Sequence, residues 1–418
     1  MNTRNRPVVT TLVAGLTLSL FLSLAGCAGS TPAASPSASA SASASAAPST
    51  TATSTPAAAV APFPAETAAA IEKAAADAVS RDGIPGAIVL VQTPAGRYEQ
   101  TFGVADRTTG TPLDIADHLR VGSITKTMTI TVLLQQVDAG TIELDAPASS
   151  YLPQLPAAWK DVTVRQLAEM RSGIPTFTGT QAFGEAYAAD TSRQFTSDEL
   201  IGYAEALPVL FAPGTDFNYS NSNTVILGMI IEKVTGESLA DELQALYDEA
   251  GLTETAYAET AAEFPSPRAQ GYTFQTPDGS EADSTDWNTS WAQAAGSAVS
   301  TVGDLELWLE ELTSGSLLSA ESQRERLDLV SIPRNPEGTG YGLGIARTNG
   351  WLGHSGDVPG FSSTMYSRDD GSIIIVLTST DAPVKRSDGT AIAASAGIAE
   401  AITAVVLPDA PFVFPTIE

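Results

Sequence analysis

The sequence predicts a two-lobed α+β protein, an antiparallel sheet flanked by helices with an all-helical lobe inserted into it. Three observations carry that prediction. β-like runs open the globular part, "GAIVLVQT" at Gly86–Thr93 and "RYEQTFGVA" at 97–105. Two more, "FSSTMYS" at Phe361–Ser367 and "SIIIVLTST" at 372–380, lie near its end. The chain between them reads mostly as helix, without an internal repeat. Strands at both ends around a helical middle imply one sheet, an insertion, and a cleft where the lobes meet.

The elements follow in order. Arg4 and Arg6 precede an uncharged apolar stretch over 8–24, which ends in Leu24-Ala25-Gly26-Cys27. A basic start, an apolar run and small residues before a cut site make an export signal over 1–27. The ending resembles a bacterial lipobox, which makes Cys27 the expected lipidation site. Residues 28–62 are almost wholly Ala, Ser, Thr and Pro. Such a composition buries too little apolar surface to offset its ordering entropy, so it is expected to be a flexible tether. The globular domain is expected over 63–418, with an α/β lobe at 63–122 and 290–418 and the helical lobe at 123–289. Within it, 65–80 has helical composition, and Pro94-Ala95-Gly96 signals a hairpin between the first two strands. Helices are expected at 123–139, closed by Gly140, at 163–171, at 221–234, and at 238–249 behind a Ser238–Asp241 capping pattern. Asp369-Asp370-Gly371 turns the last hairpin, and 391–405 reads as a closing helix.

Charge and composition exclude several functions. Acidic residues number 48 against 21 basic ones, the net charge is −27, and every acidic residue lies beyond Pro62. Such a domain repels nucleic acid and anionic headgroups, so no nucleic-acid partner is expected and the membrane is reached through the lipid anchor alone. Cys27 is the single cysteine, and His118 and His354 are the two histidines. That leaves no internal disulfide and no expected metal site or cofactor.

Three polar clusters carry the chemistry. In "LRVGSITKTMTITVLLQQVDAG" (119–140), Lys126 stands three places after Ser123, nearly one helical turn on and on the same side. A helix N-terminus favours negative charge beside the serine oxygen. A neutral lysine there can take the serine's proton, provided desolvation or nearby positive charge lowers its pKa. The bland reading is a capping serine followed by a surface lysine. Against it, 121–136 carries no charge besides Lys126, and exposed helices rarely run so far without one. The second cluster is Tyr219-Ser220-Asn221 at the mouth of another helix. Tyr219 is placed to shuttle a proton to a leaving group, and Asn221 to bind a substrate amide. The third, His354-Ser355-Gly356, precedes a strand. It reads either as a turn or as an edge whose backbone donates to an oxyanion.

Together these clusters resemble the serine penicillin-recognising enzymes, whose grouping is Ser-x-x-Lys, Ser-Asp-Asn and Lys-Thr-Gly. Tyrosine in the second motif and histidine in the third look like the class C β-lactamase branch, and closer still to the Streptomyces-type D-alanyl-D-alanine carboxypeptidases. "YLPQLP", "VTVRQLAEMRSGIP", "FAPGTDFNYSNSN", "LGMIIEKVTG", "WAQAAGSAVSTVGDL" and "YGLGIAR" extend the likeness over roughly 71–406. The resemblance implies a β-lactamase/penicillin-binding-protein fold. It implies Ser123 as the acylated nucleophile, Lys126 and Tyr219 sharing the proton transfer, and Asn221 on the substrate amide. His354 replaces the usual third-motif lysine, and the backbone N–H groups of Ser123 and Asp357 form the oxyanion hole. Trp291 is a candidate cleft wall or a packing residue. Arg347 is a candidate partner for a substrate carboxylate.

The implied function is an exported serine hydrolase, lipid-anchored on the outer face of the bacterial membrane, acting on peptidoglycan stem peptide or a β-lactam-like molecule. D,D-carboxypeptidase is the first expectation, with β-lactamase or esterase as alternatives of the same fold. Two departures stand out. Ser355 occupies a threonine position and keeps its hydroxyl. Asp357 stands where those peptidases carry threonine, and its carboxylate opposes a substrate's C-terminal carboxylate. A non-catalytic lipoprotein that binds wall peptides is the alternative of another class, disfavoured by the intact Ser123, Lys126 and Tyr219. An α/β-hydrolase elbow is absent: Gly353-His354-Ser355-Gly356-Asp357 lacks the final glycine of Gly-x-Ser-x-Gly.

Overall fold

A computed structural model describes residues 60–333, 335 and 338–415. The expected leader at 1–27, Cys27 and all but the last three tether residues lie outside the described residues. Ordered pairing begins slightly before Phe63: Arg97 donates its N–H to the Ala61 carbonyl at 2.9 Å. Among the described residues, no helix is long and apolar enough to cross a membrane.

Helix α1 (Ala65–Asp82) leads into strands β1 (Gly86–Thr93) and β2 (Gly96–Asp106). Helices α2 (Thr125–Asp138) and α3 (Asn221–Thr235) build the middle lobe, and α4 (Val302–Ser314) follows it. Strands β3 (Trp351–Val358), β4 (Phe361–Ser367) and β5 (Ile373–Thr378) precede the closing helix α5 (Ala394–Val406). One nine-stranded sheet joins both ends of the chain. Its order is Thr111–Pro112, β2, β1, β5, β4, β3, Ala346–Thr348, Gly340–Tyr341 and Val330–Ser331, antiparallel throughout. The central strand β1 is apolar on both faces because both are covered. Ile88 and Leu90 enter the core shared with α4 and the helical lobe, while Val89 and Val91 enter the core under α1 and α5.

Several boundaries differ from expectation. The helix expected at 163–171 ends at Ala168, with Met170 beyond it in a left-handed conformation. The closing helix starts at Ala394, because Ala391–Ile392 pairs with Val384–Lys385 as a small hairpin that buries Ile392 and Val384. The helix after Ser123 starts at Thr125, behind a 3₁₀ turn over Gly122–Ile124. In the middle lobe helices run to Ala250. Beyond them Ala256–Tyr257 joins Ala298–Ser300 and Leu119–Arg120 in a three-stranded ladder, and Tyr272–Thr273 pairs with Ala282–Asp283.

The uncharged segment is explained by position. Every residue from Thr125 to Leu134 is buried, so α2 is a central helix rather than an amphipathic one. Its threonines satisfy their hydroxyls internally: Thr125 and Thr127 donate to the carbonyls of Gly122 and Ile124, and Thr129 donates to the Ala294 carbonyl.

Candidate active site

Ser123 sits where α2 meets the sheet. Gly122 before it has φ +53°, a left-handed conformation, and a Cβ there would lie 2.7 Å from the Asp357 nitrogen. A Cβ on Gly356 would lie 2.5 Å from the Ser123 nitrogen and 2.1 Å from the Val121 carbonyl oxygen. Glycine at both places lets β3 press its backbone against the serine turn. The backbone nitrogens of Ser123 and Asp357 both lie at this junction, where an oxyanion hole would need them. The Ser363 hydroxyl fastens the junction by donating to the Val121 carbonyl at 2.7 Å.

Lys126 is fully buried. Its Nζ lies 2.8 Å from Asn221 Oδ1, 2.8 Å from the Ala295 carbonyl oxygen and 2.9 Å from Ser123 Oγ. Burial alone holds its ammonium well below the ordinary lysine range. The first two partners only accept, so they take both N–H groups of a neutral amine. Its lone pair is left for the Ser123 hydroxyl. Nζ also stands 4.9 Å from the centre of the Tyr219 ring.

The Tyr219 hydroxyl is buried beside Ser123 without closing a hydrogen bond. Burial raises its pKa, so it remains a phenol and Lys126 is the better resting base. His354 is buried, and burial chiefly pushes it down to about 3; a proton on Lys126 would push in the same direction. It is therefore neutral. Its Nδ1 is 2.5 Å from the Ser355 carbonyl and so donates, which leaves Nε2 to accept from the Tyr341 hydroxyl at 2.9 Å. Tyr219, Tyr341 and His354 pack ring against ring at 5.7–6.2 Å. His354 thus reaches Ser123 through the Tyr219 ring rather than directly.

A cleft of about 490 Å³ opens over these groups, lined by Ser123, Tyr219, Asn221, His354, Ser355 and Asp357. Asn221 already has both amide atoms engaged: Oδ1 accepts from Lys126, and Nδ2 donates to Thr178 Oγ1 at 3.2 Å. It holds Lys126 in place at the cleft edge. The far wall brings Asp381, Pro383, residues 391–393 and Phe414. Asp357 and Asp381 are the charged side chains lining the cleft among the described residues. Asp357 reaches solvent in the open cleft, yet the walls crowd its carboxyl. Burial pushes it up to about 7, the Ser362 hydroxyl pulls it down, and Asp381 adds to the rise. Contact with solvent moderates the size of that shift but not its direction.

The sequence matches the β-lactamase family over residues 67–397. The chain belongs to that family. A D-stereospecific amidohydrolase from Streptomyces is 32% identical with a TM-score of 0.68, covering 75% of this chain and 94% of that one. A D-amino acid amidase from Ochrobactrum anthropi is 27% identical with a TM-score of 0.70, covering 82% of this chain and 98% of that one. A D-aminopeptidase from Cereibacter sphaeroides is 27% identical over 329 residues, 75% of this chain and 60% of the relative. The chain spans about 60% of the length of such curated relatives. By their names these relatives are an amidohydrolase, an amidase and an aminopeptidase.

Two expected site residues stand elsewhere. Arg347 is half-buried and does not line the cleft. Register explains this: Ala346 pairs with Gly353, Arg347 with Leu352 and Thr348 with Trp351, so its strand runs away from the His354–Asp357 segment. Trp291 takes the packing role, with its ring 5.7 Å from Tyr187 and 5.8 Å from Phe183. Sequence reading missed the Ala295 carbonyl, Tyr341, Asp381 and Phe414. The first two lie inside the family-like stretches "WAQAAG" and "YGLGIAR", which was the available signal. Asp381 and Phe414 carried none.

Proposed function

We propose that this β-lactamase-family hydrolase cleaves amide bonds of D-amino-acid derivatives bearing a free amino group, through an acyl-enzyme on Ser123. The carrying observation is the 2.9 Å contact between Ser123 Oγ and a Lys126 nitrogen whose other two partners only accept. Lys126 takes the hydroxyl proton as Oγ attacks the carbonyl carbon. The backbone N–H groups of Ser123 and Asp357 receive the oxyanion. Tyr219 passes its phenolic proton to the departing amine and recovers one from Lys126. Water then cleaves the ester with the same pair acting in reverse.

Substrate class is supported from two sides. The relatives named above act on D-amino-acid amides or peptides by their names. The cleft's charged lining, Asp357 and Asp381, favours an ammonium near the scissile bond and opposes a carboxylate. D,D-carboxypeptidase action on cell-wall peptide is the second reading. The order of the three motifs favours it, and the acidic pair weighs against it. Export and lipid anchoring at Cys27 complete the proposal, supported by the leader-like 1–27; mass spectrometry of the membrane fraction tests them.

A turnover panel decides the acyl donor: a D-amino-acid amide, a D-Ala-D-Ala peptide, a cephalosporin and a short-chain ester. The amide is expected to turn over fastest. Fluorescent penicillin is expected to label the protein covalently, and Ser123→Ala to abolish both labelling and turnover. Labelling that persists in Ser123→Ala moves the nucleophile elsewhere, and preferred cleavage of the D-Ala-D-Ala peptide restores the carboxypeptidase reading.

A further inference from the structure

The last described segment of the chain is laced to the fold one residue at a time, ending at the cleft. Trp351 Nε1 donates to the Ala410 carbonyl at 3.2 Å, Asn349 Nδ2 to the Pro411 carbonyl at 2.7 Å, and Thr348 Oγ1 to the Val413 carbonyl at 2.7 Å. Phe412 is buried, its ring 4.8 Å from Tyr366 and 6.2 Å from Trp351. Two residues on, Phe414 is held at both ends of its backbone. Its N–H donates to Glu400 Oε1 at 2.9 Å, and its carbonyl accepts from Arg386 Nη2 at 3.1 Å. Arg386 and Glu400 are themselves a two-bond ion pair, each about one-fifth exposed. One clamp therefore ties three separate pieces together: the 384–392 hairpin, helix α5 and the terminal segment.

What the clamp delivers is an apolar wall. Phe414 lines the catalytic cleft together with Pro383, Ala391, Ile392 and Ala393. They share the cleft with the polar side chains of Ser123, Asn221, Ser355 and Asp357. The half-buried Phe414 packs in part against the core under α1 and α5 and also lines the cleft, where an apolar group of a bound molecule would cover more of its surface.

We propose that Phe414 is a specificity-determining residue, its ring being the wall on which the apolar side chain of the substrate's amino acid seats, with Arg386 and Glu400 as its positioning pair. This rests on the acyl-serine reading of the cleft and sharpens it. The favoured substrates carry a large apolar side chain, and compact ones are accepted less well. Phe414 makes no contact with the reacting atoms in this scheme, so it acts through KM more than through kcat.

The test compares D-phenylalanine amide with D-alanine amide on the full-length protein, since the two differ only in the ring. Phe414→Ala is expected to lose about tenfold in kcat/KM on D-phenylalanine amide, mostly in KM, and under about threefold on D-alanine amide. Phe414→Leu, which keeps apolar bulk, is expected to fall between them. Arg386→Ala should reproduce the KM rise and Arg386→Lys should recover part of it. A ratio between the two amides that stays the same in Phe414→Ala and Phe414→Leu overturns the proposal, as does an equal loss on both. If the parent protein cleaves neither amide, the amidase reading fails separately. The wall is then read from acylation rates of two penicillins, with and without an aromatic side chain, where an unchanged ratio in Phe414→Ala again overturns it.

Discussion

A Cβ on Gly122 would stand 2.7 Å from the backbone nitrogen of Asp357, so the turn that carries the nucleophile and the strand that completes the oxyanion site touch backbone to backbone. That contact has a consequence for mutation. Gly122→Ala places a methyl group against the strand and a side chain at φ +53°. Strain of this kind costs about 1–3 kcal/mol. The variant is expected to lose stability by that order in thermal unfolding and to lose penicillin acylation by a far larger factor, because the two N–H groups no longer converge. Acylation at the parent rate would sink the oxyanion assignment.

Lys126→Met keeps the length of the side chain and removes the amine. Acylation is expected to fall by about a thousandfold or more, in line with loss of a positioned base. Stability should change little in either direction. Burying an amine is itself costly, while the Asn221 and Ala295 oxygens each lose a donor at about 1–3 kcal/mol. Chemical denaturation and single-turnover acylation measured side by side check both statements.

The pH profile follows from the direction of the Lys126 shift. The base works only when neutral, and burial holds its ammonium well below the usual lysine range. Acylation should therefore be already fast near neutrality and decline on acidification, with no further rise near pH 10.5. A rate that climbs up to an ordinary lysine pKa would show that the amine rests charged.

Asp357 also works in its deprotonated form, for binding rather than for proton transfer. Its carboxyl is raised to about 7, faces Asp381 across the cleft and has the Tyr219 phenol nearby. A cationic substrate needs the carboxylate charged, so KM for a D-amino-acid amide should rise as pH falls through a range above the ordinary carboxylate pKa and no higher than about 7. Asp357→Asn should flatten that dependence and raise KM at neutral pH. Asp357→Thr should speed cleavage of D-Ala-D-Ala peptides by removing repulsion. A Thr variant no faster than the parent would count against the charge argument.

Tyr341→Phe removes the donor to His354 Nε2 and leaves that buried nitrogen bare, at a cost of about 1–3 kcal/mol. The ring that braces Tyr219 survives. Turnover is expected to fall by roughly tenfold, much less than for Tyr219→Phe, in line with a positioning rather than a proton-carrying role. Equal losses in both variants would put Tyr341 in the proton path.

Fold class and the three motifs are legible in the residues alone, because their signals are local. Alternation and apolar runs mark β1, β2, β4 and β5, capping residues mark helix starts, and a chargeless stretch around one lysine marks a buried helix; β3, read from its glycines as a turn or an edge, is a full strand only because it pairs on both sides. The sequence also singled out Ser123, Tyr219, Asn221, His354, Ser355 and Asp357, which line one cleft, and Lys126, which is buried against Ser123 and Asn221. Tertiary structure alone decided which partners complete that set. The Ala295 carbonyl, Tyr341, Asp381 and Phe414 come from turns and strands far along the chain, and no periodicity links them to Ser123. It likewise decided that Arg347 faces away, since register depends on which strands pair. Above all it decided the charge of Lys126, because a side chain's protonation follows from what surrounds it in space rather than from its neighbours in sequence.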